Sequence, residues 1–298
     1  MQMSTEEIDP RYADLDARQT GDMLAAMYEG QLAATRAVQP ALAALARAVD
    51  DAVPALRRGG RLVYVGAGTS GRIGVQDGAE LAPTFNWPGE QTVFVMAGGM
   101  AALTKSAEAA EDSEADGAKA MDDAKAGADD VVIGVAASGT TPFVVGAMRA
   151  ARAVGAVTIG ISNNRGAPLL GIVRHPILLD TGSEAVAGST RMKAGTAQKV
   201  ALNLFSTAVM VKLGRVYRGL MVHMRATNAK LRRRAEVIVS ALTGSIPEEA
   251  ARFVGLADGD VKLAVLLAYG ANKDRACRLL EQNNGNLRAA ITALAGSQ

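Results

Sequence analysis

Five short apolar runs, each rich in β-branched residues and followed by a turn of small residues, constrain the fold of this chain most. Between them lie segments whose apolar residues recur at helical spacing. This alternation is typical of repeated β-α units around a parallel sheet. We therefore predict an α/β fold with strands over residues 62–65, 92–95, 131–136, 157–161 and 177–179.

The segments outside the strand region are helical in pattern. We predict an N-terminal helical segment over 1–50, a sheet domain over 51–215, a connecting helix over 216–245 and a small helical bundle over 246–298. Within these limits, 196–215 is typical of a long apolar helix and 217–239 of a second helix with a basic face. The bundle is predicted as three short helices and a final turn.

Composition excludes several kinds of site. The 32 basic and 30 acidic residues nearly cancel, so no overall field gathers nucleic acid or a membrane surface, and the basic run at 232–234 is predicted to be a solvated helix face. The chain has a single cysteine, Cys277, which is predicted to lie in the core and cannot form an intrachain disulfide. Its two histidines, His175 and His223, are predicted to be structural, so a metal site is not favoured. We expect no cofactor and, without a secretory or membrane-spanning pattern, a cytoplasmic location.

A glycine-rich turn follows the first predicted strand. Gly66, Gly68 and Gly71 match G-x-G-x-x-G, the dinucleotide-binding turn, but the next strand ends in Ala-Gly-Gly and lacks the acidic residue that holds a ribose. A P-loop would need a lysine after its second glycine, and this chain has Arg72. The remaining hypothesis is a phosphate monoester bound by backbone N–H groups and the hydroxyls of Thr69 and Ser70.

A second hydroxyl-rich turn follows the third predicted strand. Ser138, Thr140 and Thr141 precede Pro142, a residue favoured at the first position of a helix. Because the carboxyl ends of parallel strands meet at one edge of a sheet, both turns should face one crevice. The alternative is that each turn is a tight connection whose Ser and Thr cap a helix.

Two glutamates become candidates by position rather than by pattern. Glu80 follows the first turn and Glu111 follows the second strand. Most glutamates are solvated helix residues, and the residue pattern does not separate Glu111 from Glu108, Asp112 or Glu114.

Six motifs occur in order along nearly the whole chain: the runs 65–74, 77–80, 97–99, 110–112, 136–142 and 188–199. Together they resemble the motifs of N-acetylmuramic acid 6-phosphate etherases. The resemblance implies a sugar isomerase (SIS) domain with a SIS-type parallel sheet flanked by helices, and a ubiquitin-associated (UBA)-like tail bundle. It also implies cleavage of a D-lactyl ether from a phosphosugar without metal or nucleotide, in cell-wall amino-sugar recycling.

By motif match, the resemblance implies that Glu80 is the general acid and Glu111 the second catalytic glutamate. Arg191 and Lys193 are possible contacts for a substrate anion, although a cationic helix start or an interface ion pair is an equal alternative. Segment 81–87 departs from the pattern because it lacks an expected cysteine and a second proline. A phosphosugar-sensing regulator and an aldose–ketose isomerase of the same fold remain alternative functions.

The distance between the first turn and Glu80 poses a geometric problem. An unbroken helix from Ser70 would place Glu80 roughly 15 Å from its own turn, too far for one sugar. Either Gly74 and Gly78 break the helix, or Glu80 serves the site of a partner subunit, since SIS proteins usually form homodimers.

Overall fold

The computed structural model describes residues 4–105, 108–226 and 228–296. The extreme ends of the predicted N-terminal segment and tail bundle therefore lie outside the described residues. The chain forms two compact units, one comprising 1–80 and 88–206, the other 81–87 and 207–298. The four-part division made from the sequence stays a prediction.

The first unit is built on a parallel sheet of five strands in the order β2-β1-β3-β4-β5. Its strands are buried on both faces at the centre, as their continuous apolar sequences require. The predicted α/β class is confirmed, and each predicted strand is present with ends shifted by one or two residues. The strands are β1 (Leu62–Gly66), β2 (Thr92–Met96), β3 (Val131–Val135), β4 (Val157–Ser162) and β5 (His175–Leu178).

Helices connect the strands and also precede and follow the sheet in the described residues. Short 3₁₀ turns precede α1 and follow β2. The helices are α1 (Thr20–Arg36), α2 (Leu42–Arg57), α3 (Gly68–Ala79), α4 (Leu81–Phe85), α5 (Glu114–Asp123), α6 (Pro142–Ala153), α7 (Pro168–Ile172), α8 (Lys193–Lys212), α9 (Ala229–Thr243), α10 (Pro247–Leu256), α11 (Val261–Ala268), α12 (Lys273–Gln282) and α13 (Leu287–Ala295).

Helix α3 runs without interruption and lies very close to the sheet. A Cβ atom on Gly78 would lie 2.6 Å from Cε1 of Phe94 and 2.9 Å from Cε2 of Tyr64. A Cβ atom on Gly74 would lie 3.5 Å from the Tyr64 side chain. The idea that these glycines break the helix is therefore wrong. They allow the helix to approach the aromatic side chains of β1 and β2.

The second unit has its own hydrophobic core, formed by α9 to α13 together with Tyr217 and Val222. The long helix predicted over 217–239 is wrong. The chain turns back at Arg218 and Gly219, both with positive φ, and forms the short strands β6 (Val216–Tyr217) and β7 (Leu220–Met221) before α9 begins. Cys277 is exposed on α12, so its predicted core position is also wrong.

Candidate functional site

The first glycine turn joins β1 directly to α3. Ala67 is the N-cap in extended conformation and makes no capping bond through its side chain, and Gly68 has φ of +51°. A Cβ atom on Gly66 would lie 2.7 Å from Cα of Gly71, so strand and helix meet backbone to backbone. The N–H groups of the first turn of α3, including those of Thr69 and Ser70, have no acceptor within the helix and are oriented outward for an anion.

The second turn has its hydroxyl groups close together in front of α6. The Ser138 hydroxyl accepts the backbone N–H of Thr140 at 3.2 Å and lies 3.4 Å from Oγ1 of Thr141. Thr141 is the N-cap of α6 but makes no capping bond through its side chain. Helix capping therefore does not account for the hydroxyls of either turn. Since β1 and β3 are hydrogen-bonded neighbours, both turns lie at the same edge of the sheet.

The motif 188–199 forms the start of α8 beside the first turn. A Cβ atom on Gly195 would lie 3.3 Å from Cδ1 of Ile73 and 3.6 Å from Cγ2 of Thr69. Glu184, whose side chain is buried, accepts the backbone N–H groups of Lys193 and of the next residue, each at 2.9 Å. This carboxylate accepts two N–H groups that lack partners within the helix. Its negative charge is also stabilised by the positive, N-terminal end of the helix dipole.

The two predicted cations of this motif lie in different surroundings. Arg191 is exposed just before α8. Lys193 is 4% exposed, and its side-chain methylene groups pass close to Gly30 of α1. Burial lowers the pKa of Lys193, while the neighbouring Glu184 carboxylate opposes that shift. Of the two, Arg191 is the one that is accessible to a ligand.

The structure places each candidate glutamate at the C-terminal end of a different segment. Glu80 is exposed at the C-cap of α3. Glu111 is half-buried at the end of the 3₁₀ turn Glu108–Glu111. Of the rival acids, Glu114 is engaged in a 2.6 Å ion pair with Arg149, and Asp112 is exposed. The structure therefore gives Glu111 the most sheltered position of these three.

Arg72 connects α3 with the segment that leads to Glu111. Its guanidinium donates to the carbonyl oxygens of Ala102 and Leu103 at 3.0 to 3.2 Å. The arginine that takes the place of the P-loop lysine thus fixes a loop. It is a contact that the sequence pattern did not reveal.

The N-terminal turn also belongs to this edge of the sheet. Asn164, buried after β4, accepts from the Ser4 hydroxyl at 3.1 Å and donates to Thr5 Oγ1 at 3.0 Å. Its amide also donates to the carbonyl of Ala137 beside the second turn, at 2.9 Å. Asn164 therefore joins the segment predicted only as helical to the residues just before the second turn.

Neither a metal cluster nor a membrane helix is found in the described ranges. There, no three His, Cys, Asp or Glu side chains converge to hold an ion. Likewise, no described helix has both the length and the apolar character needed to span a bilayer. A groove of about 420 Å³ on the second unit includes none of the predicted site residues; it is lined by Arg233, Glu236, Val237, Ser240, Ala241 and Pro247.

The fold and the paired hydroxyl-rich turns define an α/β protein of the SIS type. Residues 44–152 match the family model described as the glucokinase regulatory protein N-terminal SIS domain. A solved structure from Bacteroides fragilis, assigned to the phosphosugar isomerases, shares the fold with a TM-score of 0.51 and 20% identity, covering 66% of this chain and 94% of its own.

Similarity over the whole chain identifies the particular family. The N-acetylmuramic acid 6-phosphate etherase of Deinococcus radiodurans is 52% identical over 96% of this chain and 94% of its own. That of Rubrobacter xylanophilus is 46% identical over 97% of this chain and 96% of its own. The chain belongs to the N-acetylmuramic acid 6-phosphate etherase family.

Proposed function

We propose that this enzyme cleaves the D-lactyl ether of N-acetylmuramic acid 6-phosphate, giving N-acetylglucosamine 6-phosphate and D-lactate. The observation that carries the proposal is the pair of hydroxyl-rich helix starts after β1 and β3, where neither turn uses its hydroxyl groups for capping. The similarity to etherases over nearly the whole chain supports this substrate. We also propose a cytoplasmic location, because phosphosugars are recycled there.

The phosphate is proposed to bind between the two turns. Thr69 and Ser70 offer hydroxyl and backbone donors on one side, while Ser138, Thr140 and Thr141 offer them on the other. A helix N-terminus favours a dianion at each turn. Arg191 is our candidate for the lactyl carboxylate because it is exposed, whereas Lys193 is buried beside Glu184.

The chemistry needs one base and one acid. In the open-chain sugar the hydrogen on C2 lies next to an aldehyde and can be removed, and the ether oxygen on C3 leaves once it is protonated. We assign removal of the C2 proton to Glu111 and protonation of the departing lactate to Glu80. Water then adds to C3 of the unsaturated sugar, and a proton returns to C2. Each acid–base group is expected to contribute about 10²–10⁴-fold.

The unbroken course of α3 supports a site shared between two subunits. Ten residues separate Ser70 from Glu80 along one continuous helix, or roughly 15 Å at about 1.5 Å per residue. That separation exceeds one sugar, so we propose a homodimer in which Glu80 acts in the partner's site. Mixed dimers of Glu80→Gln and Glu111→Gln subunits should then regain one intact site, whereas a site within one subunit would leave both halves inactive.

Release of D-lactate from N-acetylmuramic acid 6-phosphate tests the function directly. Glu80→Gln and Glu111→Gln should each lower kcat by about 10²–10⁴-fold. Glu114→Gln is the matched control, since this exposed glutamate is paired with Arg149 and should retain wild-type turnover. A sensing regulator would bind the phosphosugar without releasing lactate, and an isomerase would yield a ketose. Either result would contradict the etherase proposal, and wild-type turnover in both Gln variants would contradict the residue assignments.

A further inference from the structure

Asp77 lies at the centre of a buried hydrogen-bond cluster one helical turn before Glu80. Only 2% of the residue is exposed. One carboxyl oxygen accepts the Tyr64 hydroxyl of β1 at 2.9 Å. The other accepts the Asn203 amide and, at 3.2 Å, the Ser206 hydroxyl, both on α8. Asp77 therefore joins the last turn of α3 to β1 and to α8.

The donors in this cluster are themselves fixed. Burial, followed by the neighbouring Asp77 carboxyl, raises the pKa of Tyr64 well above its usual value, so its hydroxyl keeps its proton and donates. The ammonium of Lys199 donates to the Asn203 side-chain oxygen at 2.7 Å, which directs the amide hydrogens toward Asp77. Each carboxyl oxygen thus has at least one oriented donor.

Other contacts of α3 with the sheet do not replace this cluster. At the start of the helix, Gly66 and Gly71 meet backbone to backbone, and along its middle Gly74 and Gly78 lie against aromatic rings. Such contacts set the distance between helix and sheet but give no directional bond. Near the end of the helix, three residues before Glu80, Asp77 makes directional hydrogen bonds.

We propose that Asp77 is a positioning residue for the ether cleavage, holding the Glu80 carboxyl where it protonates the departing lactate. This inference rests on the proposed function and on the role assigned to Glu80. Asp77 is buried among its donors, and the phosphate turns lie at the other end of α3. Its loss should therefore affect the protonation of the leaving group rather than substrate binding or the removal of the C2 proton.

The test is Asp77→Asn, which preserves the shape of the side chain but replaces one accepting oxygen by a donor. We expect kcat for lactate release to fall by roughly 10²-fold, the loss typical of a misplaced catalytic group, with KM unchanged within about threefold. The matched control is Asp130→Asn. Asp130 is also buried, and it accepts from the backbone and guanidinium of Arg61 at the opposite edge of the sheet. The Asp130→Asn variant should be less stable than the wild type but should keep the wild-type kcat.

Deuterium exchange separates positioning from general damage. In D₂O, Glu111 removes the C2 proton, and its carboxyl group exchanges that proton with solvent. If the ether oxygen has not yet left, a deuteron then returns to C2, so the unreacted substrate gains deuterium. For Asp77→Asn the ratio of deuterium in recovered substrate to lactate released should rise by about tenfold or more, because only the second step is slowed. A structural defect that lowers the fraction of active enzyme leaves this ratio unchanged, and an unchanged ratio would overturn the proposal.

Tyr64→Phe provides a second route if Asp77→Asn does not fold. It removes one donor to Asp77 and keeps the ring beside Phe94, and it should raise the same ratio by a smaller factor. An unchanged ratio in this variant would also refute the inference. The two levels of the proposal are distinguishable: if Glu80→Gln abolishes release but both variants behave like the wild type, only the role of Asp77 fails. If Glu80→Gln releases lactate normally, the assignment of Glu80 fails first.

Discussion

His223 should make the stability of the second unit depend on pH. Burial, together with the nearby cations Lys262, Arg215 and Arg225, lowers the pKa of His223 from 6.5 to about 3. The unfolded chain therefore binds a proton below about pH 6.5 that the folded protein does not bind. Stability is thus fully present above the unfolded pKa and is progressively lost as pH falls from about 6.5 toward 3.

The size of this loss follows from the two pKa values of His223. Between about pH 8 and about pH 5, the free energy of unfolding should fall by about 2 kcal/mol. Lys262, whose pKa burial lowers to about 8, is charged in both states over most of this range and adds little to the change. His223→Gln should remove the dependence, because its amide does not titrate.

The assay is urea unfolding followed by the fluorescence of Trp87, the single tryptophan, which lies in the same unit. The difference between wild type and His223→Gln, measured at several pH values, isolates this histidine from His175 and from the carboxylates. If that difference changes by less than about 0.5 kcal/mol between about pH 8 and about pH 5, the environment derived for His223 is wrong.

Two further substitutions test how α8 and α3 are held. Glu184→Gln should destabilise the protein by about 1.5–3 kcal/mol in thermal unfolding and should lower lactate release, because a buried carboxylate that accepts two backbone N–H groups is lost. A destabilisation no larger than that caused by the exposed substitution Glu114→Gln would contradict this prediction. Gly78→Ala should cost about 1–3 kcal/mol since its Cβ would lie 2.6 Å from Phe94. Gly21→Ala, with open space in α1, should instead be neutral or stabilise by up to about 1 kcal/mol, and equal effects of the two would refute the packing argument.

The strands were predictable because a central parallel strand is buried on both faces and its sequence is continuously apolar. The tail helices were predictable for a similar local reason, since Asn272 and Asn286 begin helices through their side-chain caps. The hairpin at Arg218 and Gly219 was missed because the apolar spacing around it also fits a helix. A single positive φ at a non-glycine residue leaves no clear mark on the sequence.

The candidate site was only partly predictable. Hydroxyl-rich turns after strands are local features, so Thr69, Ser70 and the residues near Ser138 could be selected from their order alone. Asp77 and Glu184 could not, because nothing in a local pattern distinguishes a buried carboxyl group from a solvated one. Their importance comes from donors more than a hundred residues away in the case of Asp77, and from the start of α8 in the case of Glu184.

The glycines of the first turn explain why the G-x-G-x-x-G pattern alone is ambiguous. Gly66 and Gly71 are needed because β1 and α3 approach each other within van der Waals contact of their backbones. Gly68 is needed for its positive φ. These requirements arise from joining a strand to a helix over a short turn and would be the same for any anion. The ligand is instead selected by the residues between the glycines, which here carry hydroxyl groups, and by the second hydroxyl-rich turn on the neighbouring strand.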